Sequence, residues 1–407
     1  MGQNMALQRI FAADMTEVKK LTLNKGREKS MERRHPWIFS GAIHKIPAGL
    51  DDGDLVEVRD YRDQFLAKGH YAGGSIAVRI LTFEDRPCDA NFWAEKIGNA
   101  ASYRRRHLSL PGEHTNAFRL IHGEGDGLPG LVVDVYKNVA VIQCHSFGML
   151  QSIDLIAQSI LKVYDGVINA IYLKSEEALK SGKRPDGWLA GNPVEKIMVL
   201  EYGHQFIVNV ETGQKTGFFL DQRENRNLVG LHSAQKTVLN CFCYTGGFSV
   251  FALNGGASAV VSVDISKTAT AIVDENISFC ENAGLHESVT ANVLEYLKSE
   301  DVPEYDVVII DPPAFAKSVA KRHNAVQAYK RLNALALTKV KPGGLLFTFS
   351  CSQVVGTQLF YDTIVAAAIE VGREVRVIQH LSQGGDHPVN LFHPEGHYLK
   401  GLMLEVS

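Results

Sequence analysis

The sequence of 407 residues lacks the features that would assign it to several special classes of protein. No apolar run approaches the roughly 20 residues that a membrane-spanning helix needs, so no membrane partner is expected. The stretch from Met1 to Met5 has no signal-peptide core, and Met1 to Met15 is predicted to be poorly structured. A composition of 45% hydrophobic and 21% charged residues is typical of a globular chain with two or three domains.

Cysteine is also scarce, and no two cysteines have the CxxC spacing. This argues against a disulfide framework and against a cysteine-based zinc cluster, so we expect no metal and a reducing cytoplasm as the compartment. The six cysteines are Cys88, Cys144, Cys241, Cys243, Cys280 and Cys351.

A net charge of −3 gives no global sign of nucleic-acid binding, but the local charge is uneven. Val18 to His35 contains seven basic and two acidic residues, and Pro312 to Lys341 contains seven basic residues and no acid. Binding to a polyanion depends on such local fields. Each stretch therefore indicates RNA contact, with a solvated helix face as the alternative.

Three regions differ in their hydrophobic patterns. Residues 16–86 carry short β-like runs between Gly and Asp turns, and 87–192 have the order helix, two strands, helix, strand. Within the second region Lys137-Asn138 predicts a hairpin turn, and Lys180 to Asn192 predicts a loop. Residues 193–407 alternate strands with helices, which indicates a doubly wound, mostly parallel α/β sheet.

The individual elements follow from runs of apolar and β-branched residues or from helical spacing. Predicted strands are Val18–Leu23, Leu55–Arg59, Ile76–Leu81, Leu131–Tyr136, Val139–Gln143, Ala170–Leu173, Val238–Phe242, Ala259–Asp264, Ser288–Asn292, Val307–Asp311 and Leu345–Phe349. Predicted helices are Asn91–His107, Met149–Tyr164, Phe248–Asn254, Lys267–Ala283 with Gly284 as C-terminal cap, and Ala325–Val340.

Two short motifs end two of these strands: an Asp-Pro-Pro motif at Asp311 and a Ser-Cys-Ser motif around Cys351. Ligands bind at the carboxyl ends of strands in an open α/β sheet. A carboxylate and a thiol at one edge predict covalent catalysis on a nucleobase. A buried small side chain at a strand end is the alternative for Cys351.

Further polar residues at the strand ends predict a nucleotide-type site. Tyr244 and Gly246 belong to a turn before a helix, Asp264 ends the next strand, and Asn292 and Asp311 end the following two. The turn lacks the G-x-G-x-x-G and P-loop patterns, so S-adenosylmethionine fits better than NAD. The alternatives are a helix N-cap for Asp264 and a plain turn residue for Asn292.

The whole chain resembles the class I methyltransferases that modify large-subunit ribosomal RNA at cytosine C5, in the subfamily with an N-terminal PUA domain. The resemblance rests on His35–Ile43, Gly123–Gly130, Thr212–Arg223, Asp311–Phe315 and Ser350–Ser352. It implies a Rossmann-like methyltransferase domain preceded by a β-rich PUA-like domain and an α+β central domain. It also implies S-adenosylmethionine as cofactor and large-subunit ribosomal RNA as partner, and a homodimer is left open.

By this resemblance Phe219, Gln222 and Arg226 border the cofactor pocket, with Arg226 able to bind the methionine carboxylate. Similar proteins usually carry Asp where this chain has Asn292, which weakens that assignment. His387, within a Gly-Asp-His-Pro segment, is a candidate for proton transfer.

The implied reaction begins with addition of the Cys351 thiolate to cytosine C6, which activates C5 toward the methyl group. A basic site is expected to lower the pKa of Cys351, and Asp311 can donate to N3 and accept from the N4 amino group. Ala314 stands where some relatives carry a helper cysteine, so the proton acceptor at C5 is unassigned. Cys241 and Cys243 are interpreted as packing residues.

RNA contacts are expected in both basic stretches, with a target base that leaves the helical stack. The candidate residues are Lys25, Arg27, Arg33, Trp37, Lys317, Lys321 and Arg322. A core position is the alternative for Trp37. The rival functions are an RNA base N-methyltransferase without a covalent intermediate, a small-molecule methyltransferase, and a non-enzymatic RNA-binding or ribosome assembly factor.

Overall fold

The computed structural model describes residues 18–179 and 184–407. The predicted leader, Met1 to Met15, lies outside the described residues, as do positions 16 and 17 of the first region and 180–183 of the predicted loop. The described residues form four β-sheets.

The strands are β1 (Lys19–Leu23), β2 (Trp37–Phe39), β3 (Ile43–Lys45), β4 (Leu55–Arg59), β5 (Phe65–Tyr71), β6 (Ile76–Thr82), β7 (Ala117–His122), β8 (Leu131–Tyr136), β9 (Val139–Cys144), β10 (Ala170–Leu173), β11 (Gly187–Ala190), β12 (Ile197–Glu201), β13 (His204–Val208), β14 (Thr237–Cys241), β15 (Ala259–Asp264), β16 (His286–Thr290), β17 (Tyr305–Ile310), β18 (Val340–Ser350), β19 (Val375–Ser382) and β20 (Lys400–Val406). The helices are α1 (Lys29–Glu32), α2 (Ala90–Leu108), α3 (Phe147–Gln151), α4 (Ile153–Val163), α5 (Glu176–Leu179), α6 (Arg223–Leu231), α7 (Gly247–Asn254), α8 (Lys267–Ile277), α9 (Val293–Lys298), α10 (Arg322–Leu337) and α11 (Thr357–Glu370).

The first region is a six-stranded sheet with the order β2-β6-β5-β4-β1-β3. Buried and more exposed side chains alternate along its strands, because one face of the sheet is buried and the other is not. In β4, for example, Val56 and Val58 are fully buried while their neighbours are partly exposed. The predicted strands β1, β4 and β6 are present, and β2, β3 and β5 are additional.

The second region is a five-stranded sheet with the order β11-β10-β9-β8-β7. The predicted hairpin is confirmed: β8 and β9 pair antiparallel across Lys137, whose φ of 57° suits the tight turn. The predicted loop from Lys180 to Asn192 is partly wrong, because Gly187–Ala190 pairs with β10 as an edge strand. The predicted helix Met149–Tyr164 is two helices, which meet at Ser152.

The third region contains a seven-stranded sheet with the order β16-β15-β14-β17-β18-β20-β19. The first five strands are parallel, and β20 and β19 are each antiparallel to the preceding strand. The predicted doubly wound sheet is therefore confirmed. Gly284 is not the C-terminal cap, because α8 ends at Ile277, where the Ser278 hydroxyl donates to the carbonyl oxygen of Glu275 at 2.7 Å.

The second and third regions share a hydrophobic core. One face of the five-stranded sheet, including Tyr136 and Tyr172, packs in one cluster with Phe206, Val229 and Phe347 of the third region. Its other face packs on α2 and α4. We propose 16–86, 87–192 and 193–407 as the domain limits, with the last two joined through this core.

Among the described residues, no helix has both the length and the apolar character needed to cross a membrane.

Candidate active site

Asp311 and Cys351 leave neighbouring parallel strands at the same edge of the seven-stranded sheet. In the pairing of β17 with β18, Ile310 lies opposite Thr348, so Asp311 follows the end of one strand and Cys351 the end of the other. Both side chains are partly buried. The structure therefore brings together the two residues that the motifs singled out.

The surroundings of the Asp311 carboxyl favour its neutral, protonated form. Burial, and then the charge of the Asp221 carboxylate, raise its pKa from 3.8 to about 7, against smaller opposing effects of Gln222, Lys215 and Arg226. At neutral pH this group can therefore donate a hydrogen bond as an acid or accept one as a carboxylate.

The Cys351 thiol is not the depressed-pKa thiol that the sequence led us to expect. Burial and the Asp311 carboxyl raise its pKa, and Lys215 only partly offsets them. A second cation lies nearby: Lys400 is 3% exposed, its Nζ donates to the carbonyl oxygen of Ser352 at 2.7 Å, and burial lowers its pKa to about 8. The sequence did not suggest Lys400, because only the pairing of β20 with β18 brings it here.

Asp221 is a second carboxylate at the site that the sequence did not assign. The Tyr398 hydroxyl donates to its Oδ2 at 2.6 Å, while Oδ1 is buried without a hydrogen-bond partner among the described residues. Burial would raise the pKa of Asp221, but Lys215, His387 and Tyr398 together hold it well below the usual range. The sequence offered one indication that Asp221 belongs to the site: it lies in the Thr212–Arg223 stretch, the most specific part of the resemblance.

The glycine turn forms the neighbouring part of the site. Asp264 fixes it, since its Oδ2 accepts from the Tyr244 N–H at 3.0 Å and its Oδ1 from the Ser266 N–H at 2.9 Å. Gly246 has a φ of 80°, a conformation that favours glycine, and directly precedes α7. The Phe219 ring packs edge-on against Tyr244 with centroids 5.0 Å apart. These four predicted cofactor residues therefore cluster.

Ser266, rather than Asp264, is the N-cap of α8. Asn292 is exposed and caps α9, with its Oδ1 accepting from the Leu294 N–H at 2.9 Å. This geometry agrees with the alternative that Asn292 is a structural residue at a turn. A contact of Asn292 with adenine is a proposal.

Arg226 has its polar atoms engaged within the protein. Its guanidinium makes a two-pronged ion pair with buried Glu201 at 2.6 and 2.7 Å and donates to the Phe219 carbonyl oxygen at 2.9 Å. This favours support of the pocket wall over direct binding of a carboxylate. Gln222, in contrast, has a buried Nε2 facing Asp311 without a hydrogen bond of standard geometry.

His387 belongs to a buried polar network beside the site. Its Nδ1 lies 2.9 Å from Asp386 Oδ1, and its Nε2 is buried without a partner among the described residues. Asp386 Oδ2 also accepts from the Arg119 backbone N–H and from the Arg223 guanidinium, each at 2.9 Å. The segment therefore joins the second region to the third, whatever part His387 has in proton transfer.

The first basic stretch surrounds a surface pocket of about 360 Å³, lined in part by Arg27, Arg33 and Trp37. Lys25 is exposed outside it. Trp37 is half-buried and its indole N–H donates to Glu124 Oε1 at 2.8 Å, so part of one ring edge is fixed within the protein.

Six of the seven basic residues of the second stretch divide into two sets, and the seventh, Arg331, is exposed. Lys317, Lys321 and Arg322 are exposed on the segment that follows Asp311. The other set is used within the protein: Lys330 pairs with Glu370, Lys339 donates to the carbonyl oxygens of Ser299 and Val302, and Lys341 pairs with Asp306. The first set lies beside the active-site edge. Cys241 and Cys243 lie within hydrophobic clusters, as interpreted from the sequence.

The residues present fit S-adenosylmethionine. The glycine turn at a helix N-terminus, the Asp264 carboxylate and the buried, unpartnered polar atoms of Thr245 and Gln222 offer a polar lining for a nucleoside with a charged tail. Fold and site together define a Rossmann-like methyltransferase.

Comparison with known proteins agrees. A family model described as S-adenosylmethionine-dependent methyltransferase matches residues 119–383, and one described as PUA-like domain matches residues 21–83. The chain belongs to this family of S-adenosylmethionine-dependent methyltransferases, and S-adenosylmethionine is its methyl donor.

Full-length relatives carry a more specific name. Ribosomal RNA large subunit methyltransferase I of Aeromonas salmonicida is 39% identical over 394 residues, covering 94% of this chain and 98% of that protein. The protein of the same name from Pseudoalteromonas atlantica is 38% identical, covering 95% and 99%.

Two solved structures share the fold. A putative S-adenosylmethionine-dependent methyltransferase from Streptococcus mutans is 24% identical with a TM-score of 0.81, covering 95% of this chain and all of that one. A putative methyltransferase in complex with SAH is 25% identical with a TM-score of 0.82 over the same shares.

Proposed function

We propose that the protein methylates C5 of a cytosine in large-subunit ribosomal RNA through a covalent adduct with Cys351. The observation that carries the proposal is the pairing of the Cys351 thiol with the Asp311 carboxyl at the edge of the sheet that also holds the cofactor turn. The names of the full-length relatives support a ribosomal RNA substrate. Such a substrate also supports the cytoplasm as the place of action.

The thiol is needed because C5 of cytosine is too weak a nucleophile to take a methyl group unaided. Addition of Cys351 Sγ to C6 forms the S–C6 bond and moves the C5–C6 π electrons toward C5. When bound, S-adenosylmethionine supplies an electrophilic methyl group. Loss of the C5 proton to a base then breaks the S–C6 bond, restores the double bond and regenerates the sulfur as thiolate.

Asp311 assists the addition. Its carboxyl, with a pKa of about 7, can hold a proton on the oxygen that faces N3 of the base. Negative charge that develops on the ring during attack by Cys351 is then stabilised by this hydrogen bond. The other oxygen accepts from the N4 amino group, which distinguishes cytosine from uracil.

Asp221 is our candidate for the base that takes the C5 proton. It stays ionised while Asp311, with a pKa of about 7, is partly protonated at neutral pH, and its Oδ1 has no hydrogen-bond partner within the described protein. Two carboxyl groups whose pKa values are displaced in opposite directions suit one acid and one base. Ala314 occupies the position of the helper cysteine, so the base must be another group.

Cys351 must lose its proton before or during attack, since its pKa is raised in the free protein. Lys215 and Lys400 are the nearby cations that favour the thiolate. The exposed cations Lys317, Lys321 and Arg322 follow Asp311 closely and suit the phosphates that flank an extruded base.

The test compares the wild type with Cys351→Ser and with the matched control Cys88→Ser, using large-subunit RNA from a strain that lacks the enzyme and a labelled cofactor. Mass spectrometry of the digested RNA should find 5-methylcytosine with the wild type and the control, and none with Cys351→Ser. Undiminished 5-methylcytosine with Cys351→Ser would contradict the covalent mechanism. Methyl groups confined to exocyclic amines would instead favour the N-methyltransferase alternative.

A further inference from the structure

Three potential metal ligands outside the candidate active site converge at one point: His35, His393 and Glu395. Glu395 Oε2 lies 3.8 Å from Nε2 of His35 and 3.8 Å from Nε2 of His393. One ligand atom from each of the three lies within 4.8 Å of the others. These separations are too long for hydrogen bonds and slightly longer than the roughly 3.4 Å between ligands of a tetrahedral zinc ion with bonds of about 2.1 Å.

His393 is the unusual member of the group. His393 is 4% exposed, and neither of its ring nitrogens has a hydrogen-bond partner among the described residues. Buried polar groups normally have partners, so two open nitrogens on one buried imidazole require an explanation. The Trp37 ring, centred 4.4 Å away, covers His393 but offers it no acceptor.

His35 reaches the same point through Nε2. Its Nδ1 accepts from the Trp37 backbone N–H at 3.2 Å and lies 3.3 Å from the Trp37 carbonyl oxygen. While Nδ1 accepts, the proton of the neutral ring is on Nε2. A metal ion at Nε2 requires the other tautomer, in which the proton is on Nδ1 and the Trp37 carbonyl oxygen accepts it.

The three residues come from distant parts of the chain. His35 precedes β2 in the six-stranded sheet, while His393 and Glu395 lie in the connection between β19 and β20 of the methyltransferase sheet. Glu124 of the second region holds Trp37 beside them. The point where the ligands meet is therefore a junction of all three regions.

We propose that His35, His393 and Glu395 bind one divalent transition-metal ion of the zinc class, which fixes the N-terminal domain against the methyltransferase domain. Two imidazoles and a carboxylate are a usual ligand set for zinc, with water in the fourth position. Binding requires side-chain rotations that close the present spacing to bonding distance. The expectation that the chain binds no metal rested on cysteine spacing, which cannot reveal histidines so far apart in sequence.

The test uses the full-length, tag-free protein, stripped with a chelator and titrated with Zn²⁺ by calorimetry. We expect one Zn²⁺ per chain for the wild type. Removing a residue that only orients a ligand already lowers metal affinity by up to about 100-fold. Removal of a ligand itself, as in His393→Ala, should therefore weaken Zn²⁺ binding by roughly 100-fold or more. His393→Cys should keep it, since a thiolate replaces the imidazole.

His232→Ala removes an exposed histidine elsewhere and should bind as the wild type does. Glu395→Gln changes an exposed carboxylate, so it keeps the test valid if His393→Ala fails to fold, and it should weaken binding roughly tenfold. The proposal is wrong if the wild type binds no Zn²⁺, or if all four variants bind it equally. The measurement does not depend on methyl transfer, so it stands apart from the proposed function.

Discussion

The Asp221 carboxylate raises the pKa of Asp311, yet Asp221 itself stays ionised at the same site. The difference arises from their partners. Asp221 has Lys215 beside it and a hydrogen bond from Tyr398, while Asp311 is buried next to the negative charge of Asp221. One edge of the sheet thus holds an acid and a base in the resting protein.

Replacing Asp311 with Asn should change how stability depends on pH. The folded pKa of about 7 exceeds the ordinary 3.8, so between these values the folded protein holds a proton that the unfolded chain has released. The contribution of Asp311 to the free energy of unfolding therefore falls as pH rises through that window. Asp311→Asn lacks this loss. As pH rises through the window, its free energy of unfolding should therefore increase relative to that of the wild type by at most about 4 kcal/mol, and partial exposure of the side chain reduces this difference.

Urea unfolding of both proteins at about pH 4.5 and about pH 8 measures this change, because other titrating groups cancel in the difference. A difference that stays constant across the two conditions would show that Asp311 ionises as an ordinary surface carboxyl.

The shared position of Asp311 and Cys351 was predictable because both residues directly follow buried, β-rich runs, and parallel strands end at one edge. Asp221 and Lys400 were not, because their places depend on tertiary contacts: Tyr398 and Lys215 around Asp221, and the antiparallel pairing that brings Lys400 opposite Ser350. The pKa of Cys351 was misjudged for the same reason. Sequence shows the basic residues nearby but not the burial that outweighs them.

In the fold, the predicted elements were those with a clear run or period, and some long elements were missed, among them the 14-residue helix α11 and the strands β19 and β20. Short edge strands were missed as well. β11 has four residues in a segment rich in Gly, Lys and Pro, and only its pairing with β10 makes it a strand. Arg226 shows the same limit at the site. Its charge suggested a ligand contact, whereas its partner Glu201 comes from a hairpin with no recognisable motif.

Asp221→Asn should separate methyl transfer from release. Without the base, the methylated ring keeps its C5 proton and the S–C6 bond cannot break. We expect turnover to fall roughly 10²- to 10⁴-fold, while a labelled RNA–protein adduct accumulates. Denaturing gels with labelled cofactor detect that adduct, which should be absent in the double variant with Cys351→Ala. Normal turnover by Asp221→Asn would assign the base elsewhere and leave the proposed methylation untouched.

Lys400→Met should make the Cys351 thiol less reactive. The substitution keeps the volume of the buried side chain and removes an ammonium group that favours the thiolate. The pKa of Cys351 should rise further, and at a fixed pH below that pKa alkylation of Cys351 should slow roughly tenfold. Mass spectrometry of the Cys351 peptide after timed iodoacetamide treatment gives the rate. Lys339→Met, which removes another lysine bound to backbone carbonyls, is the control and should leave the rate unchanged.

Breaking the buried pair of Arg226 with Glu201 should destabilise the fold as well as weaken cofactor binding. Both side chains are at most 3% exposed, so Arg226→Met leaves the Glu201 charge buried and uncompensated. We expect a loss of about 3–5 kcal/mol in the free energy of unfolding. Glu201→Gln should also weaken S-adenosylmethionine binding in calorimetry, because the Arg226 side chain then loses its fixed position beside Gly247.

The exposed pair of Arg376 with Glu405 provides the control, and Arg376→Met should change stability by less than about 1 kcal/mol. If Arg226 instead binds the cofactor carboxylate directly, Glu201→Gln should free its guanidinium and leave affinity unchanged or raised. The direction of that change decides between a supporting and a ligand-binding role for Arg226.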